Sequence, residues 1–346
     1  MKPRKILFVG LGGAGQRHLR IFKSLLGQET EFTAFRSTRH TPLLNANFSV
    51  NDKNTIEEHY GLQTFDSIDA ALDDGPDFVV ISTPSSLHLA AAKSAADRGI
   101  GVFVEKPFSH SLSGFDEFRN VVLARNLVFF ISFQRRFHSI IQKAQELIAA
   151  DRLGDIFSAV FNVASYVPAW HAYEDFHQLY ACRQDLGGGV LLTEIHELDL
   201  CHWFFGLPKT VSCIGGTLGG VDMDVEDTAH VTLEYSGLAV NVNLCFMQKH
   251  NRRDFSIVGT KGHLEWNQDG NSLTFDDYES GKVESFTEPN ASNDDMFIAQ
   301  AEYFLESITD KSSSQQLENA RASLAIVEAA KQSMDSGGSV PLSLPV

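Results

Sequence analysis

The sequence predicts a two-domain α/β protein. Residues 1–128 are expected to form an N-terminal domain on a parallel sheet, and residues 129–346 an α+β domain with an open, mainly antiparallel sheet. Three observations predict this. From Lys5 to about Val128 short apolar runs alternate with helical patterns; a cluster of glycines separates the first run from the first helix; and from about Ile156 the runs lengthen, become β-rich and are joined by tight turns. Alternation of that kind places parallel strands in one sheet with helices over its faces. Successive β-rich runs with short connections pair as antiparallel neighbours.

In order, the first domain reads as strand ILFVG (6–10), a helix from Gly15, strand EFTAF (31–35), helices NTIEEHY (54–60) and SIDAALDDG (67–75), strand DFVVIST (77–83), helix LHLAAAKSAADRG (87–99) and strand GVFVEKP (101–107). Residues 38–52 show no period and read as a loop insertion. The second domain opens on IFSAVFNVASYV (156–167) and TVSCIGG (210–216). The runs 229–247, 254–266 and 271–287, broken by SG, TKG and ESG, then read as an antiparallel meander. Helical patterns at 296–308 and 317–333 close the chain. An open sheet leaves one face to cover. A second subunit is expected to cover it, giving a homodimer or homotetramer through the C-terminal sheet, with the terminal helices as the alternative cover.

Composition narrows the function. The 346 residues, 43% hydrophobic, carry a formal charge of -16 from 28 Lys and Arg against 44 Asp and Glu. That charge argues against nucleic acid or an anionic membrane surface as partner, so any bound anion must meet locally concentrated positive charge. The four cysteines show no CxxC spacing, which indicates neither a zinc site nor a disulfide framework. No window reaches the ~20 apolar residues of a membrane span. The apolar run after the basic N-terminus is too short for a signal core and leads into glycines. It reads as a first strand, and the expected location is cytoplasmic.

Gly10, Gly12 and Gly15 form GxGxxG, enclosing Gly13 and Ala14, directly between a strand and a helix. In that context Gly10 permits the tight turn, Gly12 lets backbone approach a pyrophosphate, and Gly15 lets the helix pack on the strand while its N-terminal amides face the anion. The first domain is therefore read as a Rossmann dinucleotide-binding domain. An NAD-preferring domain usually ends its second strand in a carboxylate for the adenosine ribose. Here the strand runs into Arg36, Ser37, Thr38 and Arg39. Two guanidiniums and two hydroxyls suit a 2′-phosphate that a carboxylate would repel. This implies NADP, with NAD as the alternative and a solvated basic turn as the plainer reading.

Further motifs follow: VVISTPSSLHLAAA at 79–92, GVFVEKPFS at 101–109, GGGVLLTEIHELDLCHWFFG at 187–206 and FSIVGTKGHLEW at 255–266. With the glycine loop, in this order, they resemble the glucose-fructose oxidoreductase, inositol dehydrogenase and MocA family of pyridine-nucleotide sugar dehydrogenases, over nearly the whole chain. The resemblance implies that the TP loop borders the nicotinamide, making Ser82, Thr83, Pro84 and His88 cofactor contacts; His88 alternatively caps or packs its helix. It also implies a catalytic or substrate-positioning Lys106, with Glu105 holding it in place or binding the cofactor ribose. Ligands of open α/β sheets bind beyond the carboxyl ends of the strands. An ammonium there can stabilise the alkoxide charge that develops as hydride leaves. A plain surface Lys–Glu pair is the alternative.

The run Gly187–Gly189 suits backbone that a ligand or helix approaches closely. His196, read as two turns into the next helix, would exchange the hydroxyl proton, since an imidazole titrates at about 6.5. The family usually carries an Asp one turn earlier. This sequence has Leu192 there or, in the adjacent register, Thr193, so Asp199 at i+3 is the substitute partner and a substrate-side residue. A buried histidine bonded to backbone is the alternative for His196. Residues 168–186 gather Trp170, His171, Tyr173, His177, Tyr180 and Arg183, with aromatics for sugar rings to stack on and polar groups to meet hydroxyls. Arg183 suits a carboxylate or phosphate, and SFQRRFH (132–138) adds Arg135 or Arg136. No HxH or HExxH spacing suggests a metal. The expected function is NADP-linked oxidation of a secondary hydroxyl of a sugar or sugar derivative, or reduction of the matching ketone. Two alternatives stand beside it: transient use of the cofactor in sugar elimination, hydrolysis or epimerisation, and a nucleotide-binding regulatory protein without turnover.

Overall fold

The computed structural model describes residues 3–36, 41–171, 174–308 and 313–344. The chain packs as two compact units, one of Met1–Ser132 with Phe297–Ala320 and one of Phe133–Met296 with Arg321–Val346.

In the first unit the alternation becomes β1 (Lys5–Val9), α1 (Gly13–Leu26), β2 (Glu31–Phe35), α2 (Ile56–Tyr60), β3 (Gln63–Phe65), α3 (Ile68–Asp73), β4 (Phe78–Ile81), α4 (Ser85–Asp97), β5 (Gly101–Glu105), α5 (Phe115–Ala124) and β6 (Phe129–Ser132). The strands pair in parallel in the order β3-β2-β1-β4-β5-β6. The order reverses between β1 and β4, the crevice where doubly wound sheets bind ligands. Strands β4, β5 and β6 are buried at every residue, as a sheet covered on both faces requires. Three elements were not read from the sequence: β3, α5 and β6. The last lies just past the boundary at 128 and completes this sheet, being a four-residue run, FFIS, too short to show a period.

The second unit holds α6 (Ser139–Ala149), β7 (Ile156–Tyr166), α7 (Val190–Thr193), α8 (His196–Phe205), β8 (Thr210–Gly216), β9 (Thr228–Glu234), β10 (Ala239–Cys245), β11 (Met247–Gly259), β12 (Gly262–Asn267), β13 (Ser272–Asp277) and β14 (Lys282–Thr287). After them come α9 (Asn293–Ser307), α10 (Ser313–Ser336) and β15 (Val340–Pro341). The sheet order is β14-β13-β12-β11-β7-β10-β9-β8-β15. The meander is therefore interrupted. β7 stands between β10 and β11, antiparallel to β11 and parallel to β10, although those two are consecutive in the chain. The inner face carries Phe161, Val242, Phe255, Leu264, Trp266 and Phe275, none more than 1% exposed. The outer face is polar and satisfies itself: Asn162 donates to Asp254 (2.6 Å), Asn243 donates to Asn162 (2.9 Å), and Thr232 donates to Asn241 (2.9 Å). Phe304 of α9 belongs to the first unit, packing edge-on to Phe103 at 5.2 Å, which is why 297–320 clusters there. Among the described residues no helix is long and apolar enough to cross a membrane.

Candidate active site

The glycine turn has the geometry its spacing implies. Gly10 adopts φ +90°, and a side chain there would press within 2.9 Å of the Ser82 carbonyl oxygen. A Cβ at Gly15 would collide with the Gly10 carbonyl and Ser82 Oγ. At Gly12, by contrast, it would meet no protein atom within 4 Å. Packing thus explains Gly10 and Gly15 but not Gly12, whose open surroundings fit the approach of a phosphate. No side chain caps α1, and its first turn holds no carboxylate, so no side chain of the helix competes with an anion for its first amides. Gln16, not singled out from the sequence, pins the neighbouring loop: its amide donates to Leu11 O (3.1 Å) and Pro42 O (2.9 Å) and accepts from Leu44 N (2.8 Å). The residues present fit a pyridine dinucleotide.

At the end of β2 the arginine has a partner the sequence did not suggest. Arg36 Nη1 lies 2.8 Å from Glu57 Oε1 and Nη2 donates to Thr41 O at 3.1 Å, with 6% of its side chain exposed. Ser37, Thr38 and Arg39 lie outside the described residues, as does Tyr173.

Around the ends of β4 and β5 the expected residues form one hydrogen-bonded set. Ser82 Oγ donates to Gly10 O (2.8 Å), tying the TP loop to the glycine turn, and Pro84 leads into α4. His88 is 1% exposed, with Nδ1 2.7 Å from Pro107 O and Nε2 2.6 Å from Thr83 O. Its ring is thereby committed to backbone, which favours the packing reading over direct cofactor contact. Burial pushes its proton affinity below the ordinary imidazole value, against the pull of those two carbonyls. Glu105 is also inward: Oε1 meets His18 Nε2 at 2.6 Å and accepts from Ser132 Oγ at 3.0 Å, while Oε2 accepts from the Lys106 amide at 3.1 Å. Burial alone would raise this carboxyl, yet the His18 bond, helped by Lys106 and Ser132, holds it below the usual range. Of its two expected roles, holding Lys106 agrees with these bonds and binding a ribose does not. His18 is one turn along α1 from Ala14, a link the sequence spacing left invisible.

In the second unit His196 is the first residue of α8, after a break at Glu194 and Ile195, rather than two turns into one helix. It is 3% exposed, and its Nε2 lies 3.1 Å from Gln134 Nε2. Leu192 and Thr193, where the family acid was expected, are buried at 1% and 3%. Asp199 is bonded to residues other than His196 and is closed to solvent, unlike the substrate-side partner expected. It is fully buried, bound by Arg136 through two bonds (2.7 and 2.8 Å) and by Ser323 Oγ (3.0 Å). The helix turned this carboxylate toward a cation that i+3 counting could not foresee. Of the paired arginines, Arg136 is thus structural. Arg135 is 8% exposed and its Nε has no partner; burial, with Arg253 nearby, lowers its pKa to about 9. Arg253 pairs with Glu194 and, at 3.0 Å, with Glu197. Burial pushes Glu197 up to about 7 despite that cation.

Two of the three glycines are approached by protein: a Cβ at Gly188 would strike the Tyr180 carbonyl and one at Gly189 the Glu226 carboxylate. In the aromatic segment Trp170 packs on Phe246 (5.5 Å), His171 pairs with Glu174 (2.6 Å), His177 with Asp175 (2.6 Å), and Arg183 grips Asp185 (2.6 and 2.9 Å). Tyr180 opens a 3₁₀ turn through Cys182. The Arg183 pair leaves that guanidinium neutralised at the surface, unlike the open anion receptor expected. Among the described residues no group of three or more His, Cys, Asp or Glu could hold a metal.

Similarity to known proteins accords with this arrangement. D-xylose 1-dehydrogenase (NADP(+)) 2 of Haloferax volcanii is 26% identical over 70% of this chain and 73% of its own length. An uncharacterized oxidoreductase of Streptococcus pneumoniae is 29% identical over 52% of this chain, and a 2,7-anhydro-N-acetylneuraminate hydratase of Escherichia coli 28% over 55%. The chain spans about half the length of those two relatives, 49% and 51%. Levoglucosan dehydrogenase in complex with NADH and levoglucosan shares the fold, with a TM-score of 0.82 at 17% identity over 98% of this chain and 99% of that one. Residues 4–133 match the oxidoreductase family with an NAD-binding Rossmann fold and 141–265 the GFO/IDH/MocA C-terminal domain, so the chain belongs to the GFO/IDH/MocA oxidoreductases.

Proposed function

We propose that this chain is an NADP(H)-dependent oxidoreductase, with NAD(H) as the alternative, acting between a secondary hydroxyl and the ketone of a sugar-type substrate. The observation that carries the reading is the end of β5. Lys106 follows Glu105, and the Glu105 carboxylate is braced by His18, Ser132 and the Lys106 amide at the carboxyl edge of a nucleotide-binding sheet. A bound nicotinamide supplies the hydride acceptor or donor. Gly12 and the α1 amides would hold the pyrophosphate of the dinucleotide, with Gly10 making the turn, and the loop Ser82–Pro84 would border the nicotinamide. Lys106 Nζ donates to the substrate oxygen and stabilises the negative charge that builds there as the C–H bond breaks. His196 takes the hydroxyl proton and returns it in the reverse direction. Arg135, Trp170 and Tyr180 contact the substrate. The protein works in the cytoplasm as a homodimer or homotetramer through the C-terminal sheet.

A second reading, transient oxidation and re-reduction during elimination or hydrolysis, is favoured by the hydratase among the relatives and by Leu192 in place of the acid. Absorbance at the reduced-nicotinamide band, screened over sugars, sugar acids and nucleotide sugars with both cofactors, separates the two. Net reduction with one substrate supports the first. Product formation with a retained nucleotide and no net absorbance change supports the second, and binding of nucleotide with no product from any sugar refutes both.

A further inference from the structure

We propose that Glu57 is a cofactor-specificity residue, which tempers the preference for NADP by neutralising Arg36. The inference rests on the dinucleotide reading above. Arg36 follows directly on β2, where NAD-preferring domains place the carboxylate that grips the ribose. It is a cation at that point, but not an open one. Its Nη1 is 2.8 Å from Glu57 Oε1, its Nη2 donates to Thr41 O, and the two side chains are 6% and 21% exposed. Glu57 sits in the first turn of α2, whose start is fixed by a reciprocal capping box between Thr55 and Glu58. The carboxylate is therefore delivered by a capped helix rather than by a swinging loop.

A guanidinium carries five N–H groups. The two bonds use one on each Nη, so they do not exhaust its donors. What the ion pair removes is net charge. A 2′-phosphate arriving beside Arg36 is attracted by the guanidinium and repelled by the carboxylate held 2.8 Å from it, and the repulsion offsets part of the attraction. The ribose hydroxyls of NADH carry no net charge, so the same balance acts on NADH far less. Glu57 thus acts mainly on NADPH.

Three variants test this by fluorescence titration of NADPH and NADH on the full chain. Glu57→Gln keeps an amide oxygen for Arg36 and removes the negative charge. It should tighten NADPH by about tenfold, more at 20 mM than at 500 mM salt, and leave NADH within threefold. Arg36→Gln removes the cation while the Glu57 charge remains, and should weaken NADPH by at least that factor. Adding Glu57→Gln to Arg36→Gln should recover much of the loss, which keeps the test alive if one single variant fails to fold. A NADPH to NADH ratio unmoved by Glu57→Gln, or equal NADPH affinity in Arg36→Gln with and without Glu57→Gln, overturns the proposal. If the unaltered protein binds neither nucleotide, the dinucleotide reading falls and takes this inference with it; unchanged ratios with clear binding sink the inference alone.

Discussion

Replacing Asp199 by Ala should destabilise the second unit by about 4 kcal/mol, because breaking one side of a buried ion pair costs roughly 3–5 kcal/mol. The carboxylate is 0% exposed and accepts from Arg136 twice and from Ser323 once, so its removal leaves three donors without their acceptor. Arg136 itself is 13% exposed and stands 5.6 Å from the Trp203 ring, which gives its charge partial relief and keeps the cost off the top of the range. Urea unfolding followed by tryptophan fluorescence reads this unit directly, since Trp170, Trp203 and Trp266 are the chain's three tryptophans and all belong to it. With a slope of about 2.5 kcal/mol per molar urea, the midpoint should fall by roughly 1.5 M. Combining Asp199→Leu with Arg136→Met should restore most of the loss, because an apolar pair leaves no buried charge. A loss below about 1 kcal/mol, or a double variant no more stable than Asp199→Ala, would refute the assignment of this pair as a structural anchor. Asp199→Asn should correspondingly leave the pH profile of turnover where it is, since no bond joins Asp199 to His196.

The glycine turn offers a contrast within one motif: Gly12→Ala should keep wild-type melting but weaken NADPH at least tenfold, whereas Gly15→Ala should lower the melting temperature of the first unit, and equal behaviour of the two would contradict the packing seen here. Lys106→Ala should reduce turnover at least a hundredfold while NADPH affinity changes little. Survival of turnover within a few fold removes Lys106 from the chemistry. His196→Ala should cost ten to a thousandfold in turnover, within the range of general acid-base catalysis; normal turnover with an unaltered pH profile makes this histidine structural. Glu197 is raised from 4.5 to about 7, so between those values the folded unit holds a proton that the unfolded chain has lost. Stability of the second unit should therefore decline as pH rises through that window, and Glu197→Gln should flatten the decline in urea midpoints measured from pH 4.5 to 7.5.

Much of the site was legible because it is local. GxGxxG between a strand and a helix, Ser82–Pro84 after β4 and Glu105–Lys106 at the end of β5 occupy the ends of elements whose periods are plain in the sequence. The partners of those residues were not legible. His18 lies 87 residues from Glu105, Glu57 lies 21 from Arg36, and Arg136 lies 63 from Asp199. Residue type alone suggested a ligand for Arg36, Asp199 and Arg183, and each proved to be bonded to protein.

By itself the sequence determined the parallel sheet, the glycine turn and the lysine at its carboxyl edge, because burial alternation and turn chemistry act over a few residues. Only the tertiary structure decided three other things: that β7 enters the second sheet between β10 and β11, that 297–320 packs with the first unit, and which charges neutralise one another. Those outcomes depend on which distant groups exclude water together. A buried charge takes the nearest counter-charge in space, and the one-dimensional pattern carries no measure of that distance.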